Sequence, residues 1–232
     1  MSENKQVIMA VDDTPEITNL IDKILSAEGY RVVKAFSGEE ALQKFEEDMV
    51  LIILDVMMPG MDGHEVCRQI RSKSNVSVLF LSAKGTDLDK VIGLSVGGDD
   101  YIVKPFSEIE FVARVKALIR RYQYSGTQSN ENSKIVIDNS LVIDIDSREV
   151  TKYGEKITVT KTEFDILSFL AVNRGQVFSS EDIFRNVWKE KYYEGNNTVM
   201  VHLARLRDKI EDDTKNARII KNVWGIGYKI DK

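Results

Sequence analysis

The 232-residue chain holds a single cysteine, Cys67, so an internal disulfide is excluded, which fits a reducing compartment. Cys67 lies on a helical apolar pattern with Val66 and Ile70, the setting of a packed small hydrophobe rather than of a reactive thiol. No apolar run is long enough to cross a bilayer as a helix. A signal-peptide pattern is missing too: Met1 to Gln6 is polar, and the apolar run after it is broken by Asp12. A cytoplasmic protein without a membrane partner is therefore expected. Basic excess is also lacking. Residues 1–122 carry 15 basic and 20 acidic side chains, and residues 123–232 carry 17 of each. Neither half is a nucleic-acid binder by composition, so any DNA contact must rest on local placement of charge. Internal repeats and low-complexity tracts are absent. With 43% hydrophobic and 30% charged residues the chain is not disordered.

What is present changes character once along the chain. In the first half, Gln6 to Val11, Tyr30 to Phe36, Val50 to Asp55, Val76 to Ser82 and Asp100 to Val103 read as strands. Continuous apolar runs of this kind suit a parallel sheet covered on both faces. Helical patterns alternate with them. The first opens at Thr14 with Pro15 at its first position and carries Ile17, Leu20, Ile21, Ile24 and Leu25. Gly38 to Glu47, Gly63 to Arg71, Thr86 to Val96 and Ser107 to Arg121 follow, with Ser107 as an N-cap. The expected fold is an α/β, doubly wound, five-stranded parallel-sheet domain over residues 1–121. Residues 122–133, rich in Ser, Asn, Gln and Gly, read as a flexible linker. Over 134–232 the order becomes an antiparallel meander (Lys134 to Ile137, Leu141 to Ile145, Glu149 to Tyr153, Lys156 to Val159). Three helices (Thr160 to Asn173, Ser180 to Val187, Asn197 to Ile210) and a hairpin turning at Trp224 to Gly227 complete it. That is the order of an α+β winged helix-turn-helix domain.

Ligands of doubly wound sheets bind at the carboxyl ends of the strands. Asp12 and Asp13 end the first strand, Asp55 the third and Ser82 the fourth, and Lys104 follows the fifth. An isolated aspartate at a strand end is usually solvated and inert, but matching chemistry at several ends converges on one rim. Three carboxylates there repel unless a cation joins them, and oxygen-only ligands suit Mg²⁺. Lys104 adds a second positive charge, and the Ser82 hydroxyl can donate to an anionic oxygen. Such a site can hold a phosphoryl group on a carboxylate, with Asp55 as nucleophile. A phosphatase with an aspartate nucleophile is the rival enzyme; it needs a second acid two residues on, where Met57 stands.

The blocks VDD (Val11 to Asp13), LDVMMPGMDG (Leu54 to Gly63), LSAKG (Leu81 to Gly85) and DDYIVKPF (Asp99 to Phe106) resemble the signatures of two-component response-regulator receivers. The C-terminal half resembles the OmpR/PhoB effector domain, so the resemblance spans essentially the whole chain. It implies a phosphorylation-activated, DNA-binding transcription regulator that is no enzyme beyond its own phosphoryl transfer and dephosphorylation. Asp55 would accept phosphate from a sensor histidine kinase. Asp12, Asp13, Asp55 and the Met57 carbonyl would hold Mg²⁺. Ser82 and Tyr101 would form the switch pair, Lys104 would contact the phosphoryl group, and Lys104–Pro105 would be cis. Lys90, Asp99, Asp100, Glu110, Arg114 and Arg121 would lie on an exposed charged face that pairs two receivers in a homodimer. Thr14-Pro15 and Gly97-Gly98 depart from the pattern; the second should only soften its loop. The blocks NNTVMVHLARLRDKI and VWGIGYKI are most similar to regulators of glycopeptide-resistance operons, which implies control of a cell-wall or glycopeptide-resistance operon. An orphan regulator that binds DNA without phosphorylation is the alternative.

The helix Asn197 to Ile210 is the candidate reader of the major groove. Val199, Leu203, Leu206 and Ile210 form its apolar stripe, leaving Asn197, Met200, Val201, Ala204, Arg205 and Asp208 to face outward. Asn197 and Thr198 can meet phosphates at the helix start. Arg205 is the candidate guanine contact. His202 is a phosphate contact or a satisfied partial-core histidine; no second ligand stands at metal spacing. Lys221 can meet phosphates, as can Lys229, and Trp224 occupies the wing tip where the family often has arginine. Residues 188–195 correspond to the loop that touches RNA polymerase, with Trp188 as its packed anchor. A double-stranded promoter site of direct repeats is the expected DNA partner.

Overall fold

The computed structural model describes residues 5–83, 92–123, 133–138, 140–188 and 198–232, the side chains of 120–123 excepted. The chain divides into two compact units, Met1–Arg120 and Arg121–Lys232. In the first, β1 (Val7–Val11), β2 (Arg31–Ala35), β3 (Leu51–Asp55), β4 (Ser77–Ser82) and β5 (Asp100–Val103) form one parallel sheet in the order β2-β1-β3-β4-β5. The continuous apolar runs are explained by burial on both faces. Alternate strand residues part into two cores. Ile8, Ala10, Leu51, Ile53, Leu79 and Leu81 pack with α1 (Pro15–Ala27) and α4 (Glu108–Gln123). Met9, Val11, Ile52, Leu54, Val78 and Phe80 pack with α2 (Gly38–Lys44) and α3 (Gly63–Arg71), where Cys67 is buried.

Element ends are set by local chemistry. Pro15 stands at the first position of α1, as its missing N–H favours. Thr14 makes no side-chain cap; its N–H instead donates to Asp12 Oδ1 at 3.0 Å. Ser37 and Asp62 cap α2 and α3 with their side chains. The α2 helix stops at Lys44, short of the expected Glu47, because Phe45 adopts an extended conformation and packs toward the core. Residues 92–95 are helical and Val96 already lies in the turn that follows, while residues 86–91 of the expected Thr86 to Val96 helix lie outside the described residues. So do residues 124–132 of the expected linker. The effect of Gly98 is larger than a softened loop: a Cβ there would sit 2.6 Å from the Phe80 ring, so only glycine fits without moving that ring.

In the second unit, β6 (Lys134–Ile137), β7 (Leu141–Asp144), β8 (Glu149–Lys152) and β9 (Glu155–Ile157) form an antiparallel meander. Then come α5 (Lys161–Val172), α6 (Ser180–Trp188), α7 (Thr198–Ile210) and the hairpin β10 (Lys221–Val223) and β11 (Gly227–Lys229). Thr160 and Asn173, the expected ends of α5, are its two caps. One core joins sheet and helices, with Trp188 fully buried and stacked on Phe184 at 4.8 Å. No helix among the described residues is long and apolar enough to cross a membrane.

Candidate functional site

Because the strands of the first unit are parallel and in register, their carboxyl ends share one rim. Val11 pairs with Leu54, Asp55 with Leu81, and Ser82 with Val103. The rim brings Asp12, Asp13, Asp55 and Lys104 together. One oxygen from each aspartate lies within 4.8 Å of the others. Lys104 Nζ stands 2.6 Å from Asp12 Oδ2 and 3.1 Å from Asp55 Oδ1. Asp12 and Asp55 are buried and Asp13 is exposed, so the cluster is reached from the Asp13 side. The Lys104–Pro105 bond is cis. Gly63 lets α3 start directly behind the cluster: a Cβ there would fall 2.1 Å from the Asp55 carbonyl oxygen.

Among the described residues, three carboxylates against one ammonium leave the pocket short of positive charge. Burial pushes the Asp55 carboxyl above the usual carboxylate range; Lys104 opposes the rise and Asp12 adds to it. Burial pulls the Lys104 ammonium down, but the Asp12 and Asp55 carboxylates outweigh it and its pKa is raised. Asp55 Oδ1 is buried, accepts no hydrogen bond from the described residues, and has Lys104 as its ion-pair partner. The Met57 backbone N–H opposes the rise in the Asp55 pKa as well. An all-oxygen donor set with a buried under-coordinated oxygen fits a hard divalent cation such as Mg²⁺. Ser82 is buried at the end of β4, and Tyr101 is buried on β5 beside Phe80. The Met57 side chain is half exposed two residues after Asp55.

The expected exposed charged face is corrected by the structure. Asp99, Asp100 and Arg114 are buried. Asp99 turns inward, accepting from Arg71 Nη2 at 2.8 Å and from the Val78 N–H at 3.0 Å. Arg114 Nη1 donates to both Asp100 oxygens, at 3.1 and 2.9 Å, and Nη2 meets Glu110 at 3.0 Å within the same chain. Burying a charge without a partner is costly, and these pairings relieve that cost. Glu110 is exposed; Lys90 and the Arg121 side chain lie outside the described residues.

In the second unit, Val199, Leu203, Leu206 and Ile210 line the core as their spacing predicts, and Met200, Ala204 and Asp208 are exposed. Val201, Thr198 and His202 are buried rather than presented, and His202 lies 5.8 Å from the Trp188 ring. Arg205 is not turned outward. Its Nε stands 3.1 Å from Oε1 of the buried Glu163, which also pairs with Lys209 at 2.7 Å. Attraction to a buried carboxylate draws the guanidinium inward. Lys221 and Lys229 both meet Asp231, holding that carboxyl down to about 2. Trp224 is exposed at the hairpin tip. Asn197 and residues 189–195 lie outside the described residues.

Sequence reasoning missed Arg71, Glu163 and Glu211. Arg71 ties α3 to the segment before β5 through Asp99 and the Gly97 carbonyl. For Glu163 the signal existed: Thr160 and Glu163 stand at capping-box spacing, and both reciprocal bonds form. Glu211 accepts from the N–H groups of Arg218, Ile219 and Ile220 at 2.8, 3.0 and 2.8 Å, and nothing in its local pattern announces this.

Comparison with known proteins converges on one group. Residues 8–116 match the response regulator receiver domain, and residues 154–230 match the C-terminal domain of transcriptional regulatory proteins. An uncharacterized transcriptional regulatory protein of Bacillus subtilis, YcbL, is 46% identical over 96% of this chain and 99% of its own. Regulatory protein VanRc of Enterococcus gallinarum is 44% identical over 97% of this chain and 98% of its own. The response regulator DrrB of Thermotoga maritima, an OmpR/PhoB homologue of known structure, is 31% identical with a TM-score of 0.52, covering 98% of this chain and 100% of its own. The chain belongs to the OmpR/PhoB family of two-component response regulators and is a phosphorylation-dependent regulator of transcription.

Proposed function

We propose that Asp55 is the residue that accepts the phosphoryl group, from a sensor histidine kinase, and that the second unit then binds promoter DNA. The observation that carries this reading is the convergence of the three aspartate oxygens within 4.8 Å, with Lys104 bridging Asp12 and Asp55. Asp12, Asp13 and Asp55, with the Met57 carbonyl, are the residues to hold Mg²⁺. When bound, that ion neutralises charge on the phosphoryl oxygens. An Asp55 carboxylate oxygen bonds to phosphorus as the donor's leaving group departs. Lys104, held in place by Asp12, offers its ammonium to a phosphoryl oxygen, and the Ser82 hydroxyl donates to another. Tyr101 and Ser82 are the pair that registers the change. The chain catalyses nothing beyond its own phosphorylation and dephosphorylation, and it works in the cytoplasm.

Phosphorylation promotes a homodimer, with Lys90, Glu110 and Arg121 as the candidates for contacts between copies. Asp100 and Arg114 support that face from within each chain. Two copies on direct half-sites about one helical turn apart turn the second binding event into an intramolecular one. The α7 helix is the major-groove element, and residues 188–195 are the contact to RNA polymerase. The likeness to VanRc supports a cell-wall or glycopeptide-resistance operon as the target. The deciding experiment is phosphate uptake from a small phosphodonor with Mg²⁺, followed by a DNA-binding assay. Asp55→Asn should abolish uptake, and Asp12→Ala or Asp13→Ala should weaken it. Full labelling of Asp55→Asn would sink the assignment.

A further inference from the structure

Phe80 lies on β4 two residues before Ser82 and pairs in register with Tyr101 on β5. Side chains two apart on a strand share a face, and neighbouring strands run about 4.8 Å apart. Phe80, Ser82 and Tyr101 therefore stand together on one face of the sheet. The Phe80 ring is fully buried, and the His64 ring of α3 meets it edge-on at 5.4 Å. The helical turn 92–95 closes over this group with a glycine, and its cap is made by backbone. The Gly98 N–H donates to the Gly93 carbonyl and the Gly97 N–H to the Leu94 carbonyl, each at 3.2 Å, with Gly97 at a φ of 127°. A cap of this kind is commonly joined by an apolar contact between the two residues that Gly93 and Gly98 replace here. Neither has a side chain to make it. The Phe80 ring fills that place. A Cβ on Gly98 would fall 2.6 Å from the ring, and one on Gly93 would fall 3.3 Å from the Phe80 ring and 3.3 Å from the Tyr101 ring. One residue from Gly93, Ile92 is 41% exposed. The same turn thus rests on both rings and presents an apolar side chain at the surface.

We propose that Phe80 is a positioning residue for the response to phosphorylation. By supplying the apolar contact that the glycine cap lacks, it fastens the turn 92–95 to Tyr101, so that a change at Tyr101 carries the turn with it and promotes the meeting of two copies. The inference rests on the reading of Asp55, Ser82 and Tyr101 above. A phenyl ring offers neither a donor nor a charge to a phosphoryl oxygen, so uptake at Asp55 does not depend on it. What the ring offers is rigid volume. Close-packed groups pass a displacement on, whereas a smaller side chain in the same place leaves a gap across which Tyr101 and the turn move separately. The pairing is reciprocal: the large ring at 80 needs glycine at 98, and glycine at 98 needs the large ring to complete the cap.

The test uses the full chain carrying fluorotyrosine, phosphorylated by a small phosphodonor with Mg²⁺. Three quantities are read. They are the extent of phosphate uptake, the shift of the Tyr101 fluorine resonance on phosphorylation (assigned with Tyr101→Phe), and the ratio of the dimer dissociation constants without and with phosphate. Phe80→Leu should keep uptake within about twofold of the parent and keep the Tyr101 shift, while the ratio falls about tenfold, the size of a lost aromatic contact. Gly98→Ala should lower the ratio likewise, because its methyl displaces the ring. Gly98→Ala joined to Phe80→Leu should recover the ratio to within about threefold of the parent, the non-additivity expected of residues in contact. Should Phe80→Leu fail to fold, Phe80→Met decides: it keeps the volume without the rigid ring and should lower the ratio about threefold. A ratio within about twofold of the parent in folded Phe80→Leu would overturn the inference, and so would a double variant no better than its worse single variant. Loss of the Tyr101 shift in Phe80→Leu would overturn it too, since the ring would then act before Tyr101 rather than after it. A parent whose Tyr101 resonance and dimer constant both ignore phosphorylation defeats the reading of Ser82 and Tyr101 itself, and the inference with it.

Discussion

The two units treat buried acid in opposite ways. In the receiver unit, Asp12, Asp13 and Asp55 crowd one rim, where Lys104 pairs with Asp12 and Asp55. In the effector unit, Glu163 and Glu211 are each surrounded by donors. Glu163 takes the Thr160 N–H, Arg205 and Lys209, and Glu211 takes three backbone N–H groups. Among the described residues, the first arrangement leaves negative charge unanswered until a cation arrives. The second sets two cations against Glu163, whose buried Oε1 is met by the Arg205 ion pair rather than by a hydrogen bond, and three amides against Glu211, and its carboxylates act as fasteners for α7 and the hairpin. Burial and ionisability alone therefore do not mark a site; an imbalance of donors and acceptors does.

Removing a fastener should cost more stability than removing a ligand-seeking acid. Glu211→Ala strands three amide donors and should lower the stability of the effector unit by about 3 kcal/mol. Calorimetry that separates the two unfolding transitions is the measurement, with the receiver transition unmoved. Equal losses in both would mean that the carboxylate couples the units.

Mg²⁺ should act only on the other side of the comparison. At about a hundredfold excess over its dissociation constant it should stabilise the receiver unit by about 2.7 kcal/mol. Asp13→Ala should reduce that gain while leaving the metal-free transition near the parent value, because Asp13 is exposed. A gain that survives Asp13→Ala would remove this residue from the ligand set.

Arg205 sharpens the contrast, since a guanidinium that reads a base must first leave Glu163. Arg205→Ala should cost about 1–3 kcal/mol on a matched site and relax preference at one base pair of each half-site. Equal weakening on matched and mismatched sites would make it a phosphate contact. The smallest effect is kinetic. Met57 stands half exposed two residues after Asp55, where its apolar side chain should obstruct approaching water. Met57→Asn should lose its phosphate a few-fold faster, roughly a 1 kcal/mol change in barrier, and decay at the parent's rate or slower would contradict that role.

The rim was legible because parallel strands have only one way to align their carboxyl ends. Once Asp12, Asp55, Ser82 and Lys104 were placed at strand termini, their convergence followed from topology. The apolar stripe of α7 was legible from its spacing for the same kind of reason. The polar faces were not. Helical periodicity predicts Arg205 and Val201 outward, but a long guanidinium swings toward whatever carboxylate is buried nearby, and Glu163 comes from a helix some forty residues earlier in the chain. Asp99 and Asp100 read as surface acids until Arg71 and Arg114 are seen to reach them. Long-range charge pairing has no local signature, and that is where sequence reasoning misplaced side chains.

Closed within one chain, the Asp100–Arg114 pair also makes its surroundings electrostatically quiet. Arg114 has spent its charge on Asp100 and Glu110, while Ile109 next to Glu110 stands 84% exposed. Copies meeting across such a surface would be held by fit and dehydration around Ile109 as well as by the few charges of Lys90, Glu110 and Arg121, and so would respond less to ionic strength than attachment to DNA, which loosens steeply as counterions accumulate. Raising salt should therefore strip the protein from its promoter well before it separates the copies, so that assembly and occupancy can be dissociated by ionic strength alone.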